Sequence, residues 1–139
     1  MNPITEDIKD FLVEAGAGEF GVIKESVWGI FIGKEPDEPT NTITLYITPG
    51  IVEKQMNNDR HFYHSAFQIR VRSNNYKQAY AKTVECSDAL DRIGSSVNEQ
   101  TNTIYNNIVI DDEPLPLPKD TKSRSIFVVN GTAFRRKIA

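Results

Sequence analysis

Residues 64–94 constrain the fold most, because the spacing of their apolar residues changes midway. It is every second residue in the first part, and every third or fourth residue in the second part. In residues 67–72, apolar and polar side chains alternate, which is typical of a strand with one buried face. Asn74 or Asn75 follows as the helix N-cap, and with Asn75 in that place Gln78 lies three residues later as in a capping box. Gly94 is expected to end the helix. One face of this helix is predicted to carry Tyr76, Ala79, Tyr80, Thr83, Val84, Ser87, Leu90 and Ile93.

The rest of the chain supplies one more predicted helix and four more predicted strands. The helix is residues 5–15, where apolar side chains share one face and two acids occupy the first turn. The strands are residues 27–32, 42–48, 104–110 and 125–130. Residues 42–48 alternate most regularly between apolar and polar side chains, so they indicate another half-buried strand.

This order of elements predicts an α+β fold. Three of the strands have a polar side opposite their apolar side, so we expect a single antiparallel-rich sheet with two helices packed on one face. A length of 139 residues predicts one domain, residues 1–139. Its one cysteine, Cys86, excludes an intrachain disulfide and is expected to be a small buried residue. The polar N-terminus and the lack of a long apolar run predict neither signal peptide nor membrane span.

The charge is unevenly distributed along the chain. The net charge is −3, but residues 119–139 carry +5 and residues 1–118 carry −8. A uniformly basic nucleic-acid-binding protein would not show this pattern. Opposite charges at the two ends suit association between copies of the chain, while a solvated basic tail is the alternative interpretation.

Two polar segments are expected to be arms. Residues 51–65 are long for a hairpin connection. Residues 111–124 contain prolines at every second position from Pro114 to Pro118, which disfavours both helix formation and strand pairing. Neither segment has the apolar residues to order itself firmly, so contacts with neighbouring proteins are expected there.

A search for catalytic or cofactor chemistry finds little. The sequence contains no P-loop, no glycine-rich dinucleotide motif, no nucleophile elbow and no CxxC pair. His61, His64 and Asp59 are near each other in sequence, but zinc sites need three or four oriented ligands. We therefore expect polar loop side chains there, and no metal, cofactor or enzymatic activity. A small-ligand-binding or enzymatic domain is the alternative of a different class.

Gln68, Arg70 and Arg72 alternate along one strand and form what we call the arginine stripe. The two arginines project from one side of the strand about 7 Å apart. The stripe is either a solvated side of the sheet or a surface that meets acids of a partner, since arginine suits bidentate pairing with carboxylates. The acids expected to meet it from a neighbouring copy are Glu35, Asp37, Glu38, Asp111, Asp112 and Glu113.

Several short motifs follow one another in a recognisable order. After an initial short helix come Pro36-Asp37, Tyr46-x-Thr48-x-Gly50, Gln68-x-Arg70-x-Arg72, Tyr76-x-x-Ala79-Tyr80 and a last strand after Arg124. In this order of motifs, nearly the whole chain resembles the tail terminator, or minor capsid, family of long-tailed bacteriophages. The long 51–65 segment and the weak strand around Asn106 and Asn107 depart from the pattern.

The resemblance implies a structural virion protein. Such a protein forms a homo-oligomeric ring, expected to be a hexamer, on the completed tail tube. It stops tube polymerisation and joins the head connector or stopper protein. DNA passes through the lumen of that ring without sequence-specific binding. The implied location is the tail–neck junction of the virion, after assembly in the host cytoplasm. Another neck component, a head-completion or stopper protein, is the alternative within this class.

Overall fold

The computed structural model describes residues 1–54 and 61–138, and these residues form two helices and eight strands. In chain order the elements are α1 (Ile4–Glu14), β1 (Glu19–Phe20), β2 (Gly29–Ile32), β3 (Thr42–Lys54), β4 (His61–Ser73), α2 (Tyr76–Asp91), β5 (Ser96–Asn98), β6 (Thr103–Ile110), β7 (Leu115–Leu117) and β8 (Ser125–Lys137). The predicted α+β class is therefore confirmed.

All eight strands belong to one sheet, in the order β1-β2-β3-β4-β8-β6-β5, with β7 also paired to β8. Strand β2 is parallel to both β1 and β3, whereas the other pairs are antiparallel. The predicted single antiparallel-rich sheet is confirmed. The parallel pairing of β1, β2 and β3 at one edge was not predicted from the sequence. That edge arises because the segment between β2 and β3 crosses over instead of turning back as a hairpin.

Both helices pack on the same face of the sheet, as expected. Phe67, Ile69 and Val71 of β4 are fully buried on this face. They share one core with Leu12 of α1 and Leu90 of α2. Neither helix of the described ranges has the length and apolarity needed to cross a membrane.

The start of α2 follows its sequence, but its end does not. Asn75 is the N-cap, and its side-chain oxygen accepts a 3.1 Å hydrogen bond from the Gln78 backbone N–H, as predicted. The helix ends with Arg92 as C-cap at φ −78°, so the expectation for Gly94 is wrong. A right-handed cap that hydrogen-bonds back to the last turn removes the need for a left-handed glycine.

The first expected arm, residues 51–65, is largely strand where the structure describes it, which corrects the sequence interpretation, whereas only Leu115–Leu117 of the second arm is strand. Residues 51–54 extend β3, and residues 61–65 belong to β4. Asp59 lies outside the described residues. A bulge between Thr48 and Ile51 interrupts the alternation in β3, and there a Cβ on Gly50 would lie 2.5 Å from the His64 carbonyl oxygen. Because the bulge shifts the alternation of side chains, the sequence pattern does not show that the strand continues beyond Thr48.

Strand pairing also orders much of the C-terminal part. Leu115–Leu117 pairs with β8 despite its central proline. Such a short strand with one paired side tolerates the missing N–H of Pro116. The basic tail continues β8 to Lys137, where it pairs with both β4 and β6.

Candidate interface surface

The arginine stripe lies on the face of the sheet opposite the helices, which we call the open face. Arg70 is paired across the sheet with Thr44 of β3 and with Val128 of β8. Directly paired residues of antiparallel strands share a face. The stripe therefore runs along the middle of the open face, between β3 and β8.

Glu35, from the segment between β2 and β3, lies between the two arginines of the stripe. Its Oε1 accepts a 2.9 Å hydrogen bond from Arg72 Nη1, and its Oε2 is 2.8 Å from Arg70 Nε. Arg72 is 2% exposed, whereas the Arg70 side chain is 33% exposed. One carboxylate thus neutralises a buried arginine and pairs with a partly solvated one.

Arg72 also anchors the backbone that follows Glu35. Its guanidinium donates to the carbonyl oxygens of Asp37, Pro39 and Thr40 at 3.3, 2.7 and 3.3 Å. Satisfying most of its donors in this way makes the burial of a permanent charge tolerable. The turn that carries the predicted acids is therefore fastened to the open face of its own chain.

A second charged cluster surrounds Asp37. Lys122 donates to its carboxylate at 2.6 Å and Arg124 at 3.2 Å, and these cations hold the pKa of Asp37 below its ordinary value. Arg124 is also 2.7 Å from Asp120, and Glu38 lies 3.6 Å from Lys122. The cluster joins the turn before β3 to the turn before β8.

The second predicted group of acids lies elsewhere on the surface. Asp112 accepts hydrogen bonds from the backbone and side chain of Asn130 at 2.9 and 3.0 Å, and Asn130 accepts one from Gln68 at 3.2 Å. Asp111 accepts one from Thr132 at 3.0 Å. Glu113 is exposed and forms no ion pair within the described residues.

The structure thus brings Arg70, Arg72 and Glu35 together within one chain. Acids from a neighbouring copy were expected around the stripe, but here its own Glu35 supplies the carboxylate. The reason is that the turn after β2 crosses the open face, which sequence spacing could not show. An interface role for these residues stays a prediction, and Arg70 is the member of the pair left most accessible to it.

Sequence reasoning missed a buried polar network on the helix side of the sheet. Asp7 is 2% exposed, and its carboxylate accepts a hydrogen bond from the Tyr105 hydroxyl and lies 3.8 Å from Arg135 Nη1. Burial and this carboxylate raise the pKa of Tyr105. Arg135 also donates to the Asn2 carbonyl at 2.8 Å and to Ser65 Oγ at 2.9 Å. The network ties the start of α1 to three strands, although Asp7 looked like an ordinary first-turn acid.

Within the part of the chain that the structure describes, His61 and His64 belong to no group of metal-binding side chains. No group of three or more histidine, cysteine, aspartate or glutamate side chains within residues 1–54 and 61–138 is arranged to hold an ion. His64 instead packs against Phe134, with ring centroids 4.8 Å apart, and lies 3.7 Å from Glu53.

The fold that these elements define is of the α+β class, with one sheet and two helices on one face. The family model for "Bacteriophage tail terminator protein" matches residues 11–133, so the chain belongs to this family. It is therefore a structural component of a phage tail, and the resemblance noted in the sequence is confirmed.

Comparisons with individual proteins add little. No curated protein matches the sequence significantly. Among solved structures, a chain from the virion of a native gene transfer agent particle is similar, with 13% identity and a TM-score of 0.49 over 76% of this chain and 78% of that chain.

Proposed function

We propose that copies of this protein form a closed ring, with six as the expected number, on the end of the completed tail tube. The ring stops tube polymerisation and provides the joint to the head connector or stopper protein. Membership of the tail terminator family, over residues 11–133, is the observation that carries this proposal. The whole chain, residues 1–139, acts as one domain in each copy.

A closed ring needs two unlike surfaces on each subunit, because its contacts run head to tail. The opposite net charges of residues 1–118 and 119–139 do not supply them directly, because Lys122, Arg124 and Arg135 pair with acids of their own chain. Closure of the ring also explains how a terminator caps a tube instead of extending it, since all lateral contacts are then used within one layer.

We further propose that DNA passes through the lumen without being read. The net charge is −3, and three nearly buried arginines already pair with carboxylates of their own chain: Arg72, Arg124 and Arg135. Arginines engaged in this way are not available for bidentate contacts with base edges or phosphates. The protein assembles in the host cytoplasm and ends at the tail–neck junction.

The test is complementation of a phage that lacks this protein. Electron microscopy should show tubes of uncontrolled length without it, and tubes of normal length, each bearing a ring and joined to a head, when it is supplied. Native mass spectrometry of the purified protein gives the number of copies. Tubes of normal length in the absence of the protein would contradict termination, and a two-fold dimer as the sole species, in solution and on tails, would contradict the ring.

A further inference from the structure

Two strands of the described sheet have edges that are only partly paired. Strand β2 pairs with β3 only as far as Leu45, so residues 46–54 have no strand on that side within the described ranges. Strand β5 pairs with β6 only over residues 103–105, which leaves residues 106–110 in the same condition. An unpaired strand edge presents N–H and C=O groups that a second chain can pair with.

The β3 edge is also unusually apolar for a surface strand. Ile47 is 61% exposed, Ile51 64% and Val52 48%. Edge strands that stay in solvent are usually protected by charged side chains. Three exposed branched apolar residues on one edge therefore indicate a surface that is covered in the assembled protein.

We propose that the β3 edge of one copy pairs antiparallel with the β6 edge of the next copy, so that one sheet continues around the ring. This inference rests on the proposed ring and names the contact that closes it. It assigns a second copy of this chain as the occupant of the β3 edge.

Strand direction supports this pairing. Strand β3 is antiparallel to β4, β4 to β8, and β8 to β6, so β3 and β6 run in opposite directions within one subunit. Copies related by rotation about an axis along the strands keep the same orientation. The β3 edge of one copy therefore meets the β6 edge of the next as an antiparallel pair, the arrangement with the more stable hydrogen bonds.

The heights of the two edges along the sheet also agree. Ile51 pairs with His64, His64 with Phe134, and Phe134 with Asn107, so Ile51 and Asn107 lie in one row across the sheet. By the same pairings, Thr48 and Val109 also share a row, two residues further along β4 and β8. A rotation without translation brings these rows of neighbouring copies to the same level.

The charges beside the two edges are complementary. Lys34 is exposed and follows Gly33, whose N–H donates to the Leu45 carbonyl at 2.9 Å, beside the β3 edge. At a similar height beyond the β6 edge, the Asp111 N–H donates to the Asn130 carbonyl at 2.8 Å. Glu113 lies two residues after Asp111 and is exposed. In the proposed pairing, Lys34 of one copy would therefore face the acids Asp111 and Glu113 of the next copy.

Both edges carry a bulge, which limits wrong pairing. The register shifts between Thr48 and Ile51 in β3 and between Tyr105 and Asn107 in β6, at nearly the same height. Bulges disrupt regular ladders and are a usual protection against indiscriminate edge association. Two bulged edges of matching height favour each other over an ordinary strand.

Disulfide trapping tests the contact. A chain with Ile51→Cys is mixed with a chain carrying Asn107→Cys and oxidised, because paired residues of neighbouring antiparallel strands have Cα atoms at a distance of about 4.5–5.5 Å, suitable for a disulfide. Cys86 is buried and does not compete. The matched control replaces Asn107→Cys with Tyr80→Cys, which lies on the exposed side of α2. We expect a cross-linked dimer of the two different chains from the first mixture only.

A charge exchange gives an independent test. Lys34→Glu and Glu113→Lys should each weaken assembly about tenfold at low salt, and the two together should restore most of it, since the facing charges are exchanged. Circular dichroism checks that each variant folds.

The outcomes separate this contact from the ring itself. Rings that form without the matched cross-link and without charge rescue would overturn the edge contact but keep the ring. A cross-link from the β3 edge to tube protein on assembled tails would assign that edge to the tube. Monomers alone, in solution and on tails, would overturn both the ring and the contact.

Discussion

Arg72 Nη1 donates a 2.9 Å hydrogen bond to Glu35 Oε1, and this bond holds the segment between β2 and β3 against the open face. The guanidinium is almost fully buried, so the carboxylate compensates a charge that water cannot reach. A buried ion pair is weak evidence of net stabilisation, but removal of one partner is costly because the other charge stays buried.

Glu35→Gln should therefore destabilise the protein. We expect a loss of roughly 2–3 kcal/mol in the free energy of unfolding, slightly below the usual cost of breaking a fully buried pair because Arg70 is partly solvated. Urea denaturation measures it. Glu38→Gln, in the same turn but exposed, is the matched control and should change stability by less than about 0.5 kcal/mol. Equal effects of the two changes would contradict the compensating role of Glu35.

Leu90→Ala should cost roughly 2–5 kcal/mol, because Leu90 is fully buried between α2 and the sheet. Lys82 is unsuitable as the control position, because it donates to the Ala17 carbonyl at 3.0 Å and lies 5.2 Å from the Trp28 ring centroid. Lys77→Ala is the better control, because Lys77 is exposed, and it should stay within about 0.5 kcal/mol. Equal shifts of the melting temperature for the two variants would contradict the assignment of Leu90 to the side of α2 that packs on the sheet.

Regular patterns in the sequence predicted most of the fold, and their interruptions account for the errors. The alternation in residues 67–72 located the centre of β4, and the Asn75 cap located the start of α2. Strands β1, β5 and β7 have only two or three residues, too few for a period to show. The bulge after Thr48 concealed the second half of β3, because it breaks the alternation where the strand continues.

The charged surface was predicted less well, because long-range contacts decide it. The sequence placed Arg70 and Arg72 on one face, and the structure confirms that placement. It could not show that a crossover segment brings Glu35 onto the pair. Nor could it distinguish the buried Asp7 from a solvated first-turn acid, since its partners Tyr105 and Arg135 are about a hundred residues away in sequence.

Tyr105→Phe should leave the Asp7 carboxylate without one of its buried hydrogen bonds. We expect a loss of about 1–3 kcal/mol at neutral pH. Tyr76→Phe is the control, because Tyr76 is 55% exposed; it should have little effect. Chemical denaturation of both variants at about pH 7 measures the difference. An unchanged denaturation midpoint for Tyr105→Phe would show that its hydrogen bond to Asp7 does not stabilise the protein.

The same hydroxyl should also make stability depend on alkaline pH. Burial raises the pKa of Tyr105 in the folded protein, whereas an unfolded tyrosine titrates near pH ~10. Above that pH the unfolded state loses its proton first, so the free energy of unfolding falls by up to about 1.4 kcal/mol per pH unit. Denaturation measured from about pH 9 to about pH 11 should show a shallower fall in the free energy of unfolding for Tyr105→Phe than for the wild type. Parallel slopes would contradict the raised pKa.

Cys86 should be unreactive in the folded protein. Burial raises the pKa of its thiol to about 12, and the thiolate is the reactive form. We expect alkylation near neutral pH only at the rate of global unfolding, with full labelling in urea. Mass spectrometry follows the reaction, and Leu90→Ala, which unfolds more readily, should be labelled faster. Rapid labelling of the native wild type would show that α2 opens locally.

The last prediction separates the two arginines of the stripe. Arg72 is buried and pairs with Glu35 of its own chain. A reversed charge at this position should therefore unfold the protein, so such a variant cannot test assembly. The Arg70 side chain is 33% exposed and pairs with Glu35 through Nε, so part of it remains accessible to a neighbouring subunit. Arg70→Gln should keep the fold, costing about 0–1 kcal/mol as for an exposed pair, and should weaken ring assembly at low salt.

Sedimentation across ionic strength, with circular dichroism for folding, measures the effect of Arg70→Gln. The difference in assembly from the wild type should shrink as salt rises, because screening removes the contribution of a partly exposed charge. Lys77→Ala removes an exposed cation from α2, on the other face of the sheet, and should assemble like the wild type at every salt concentration. Wild-type assembly by Arg70→Gln at low salt would mean that the whole stripe serves the fold of its own subunit.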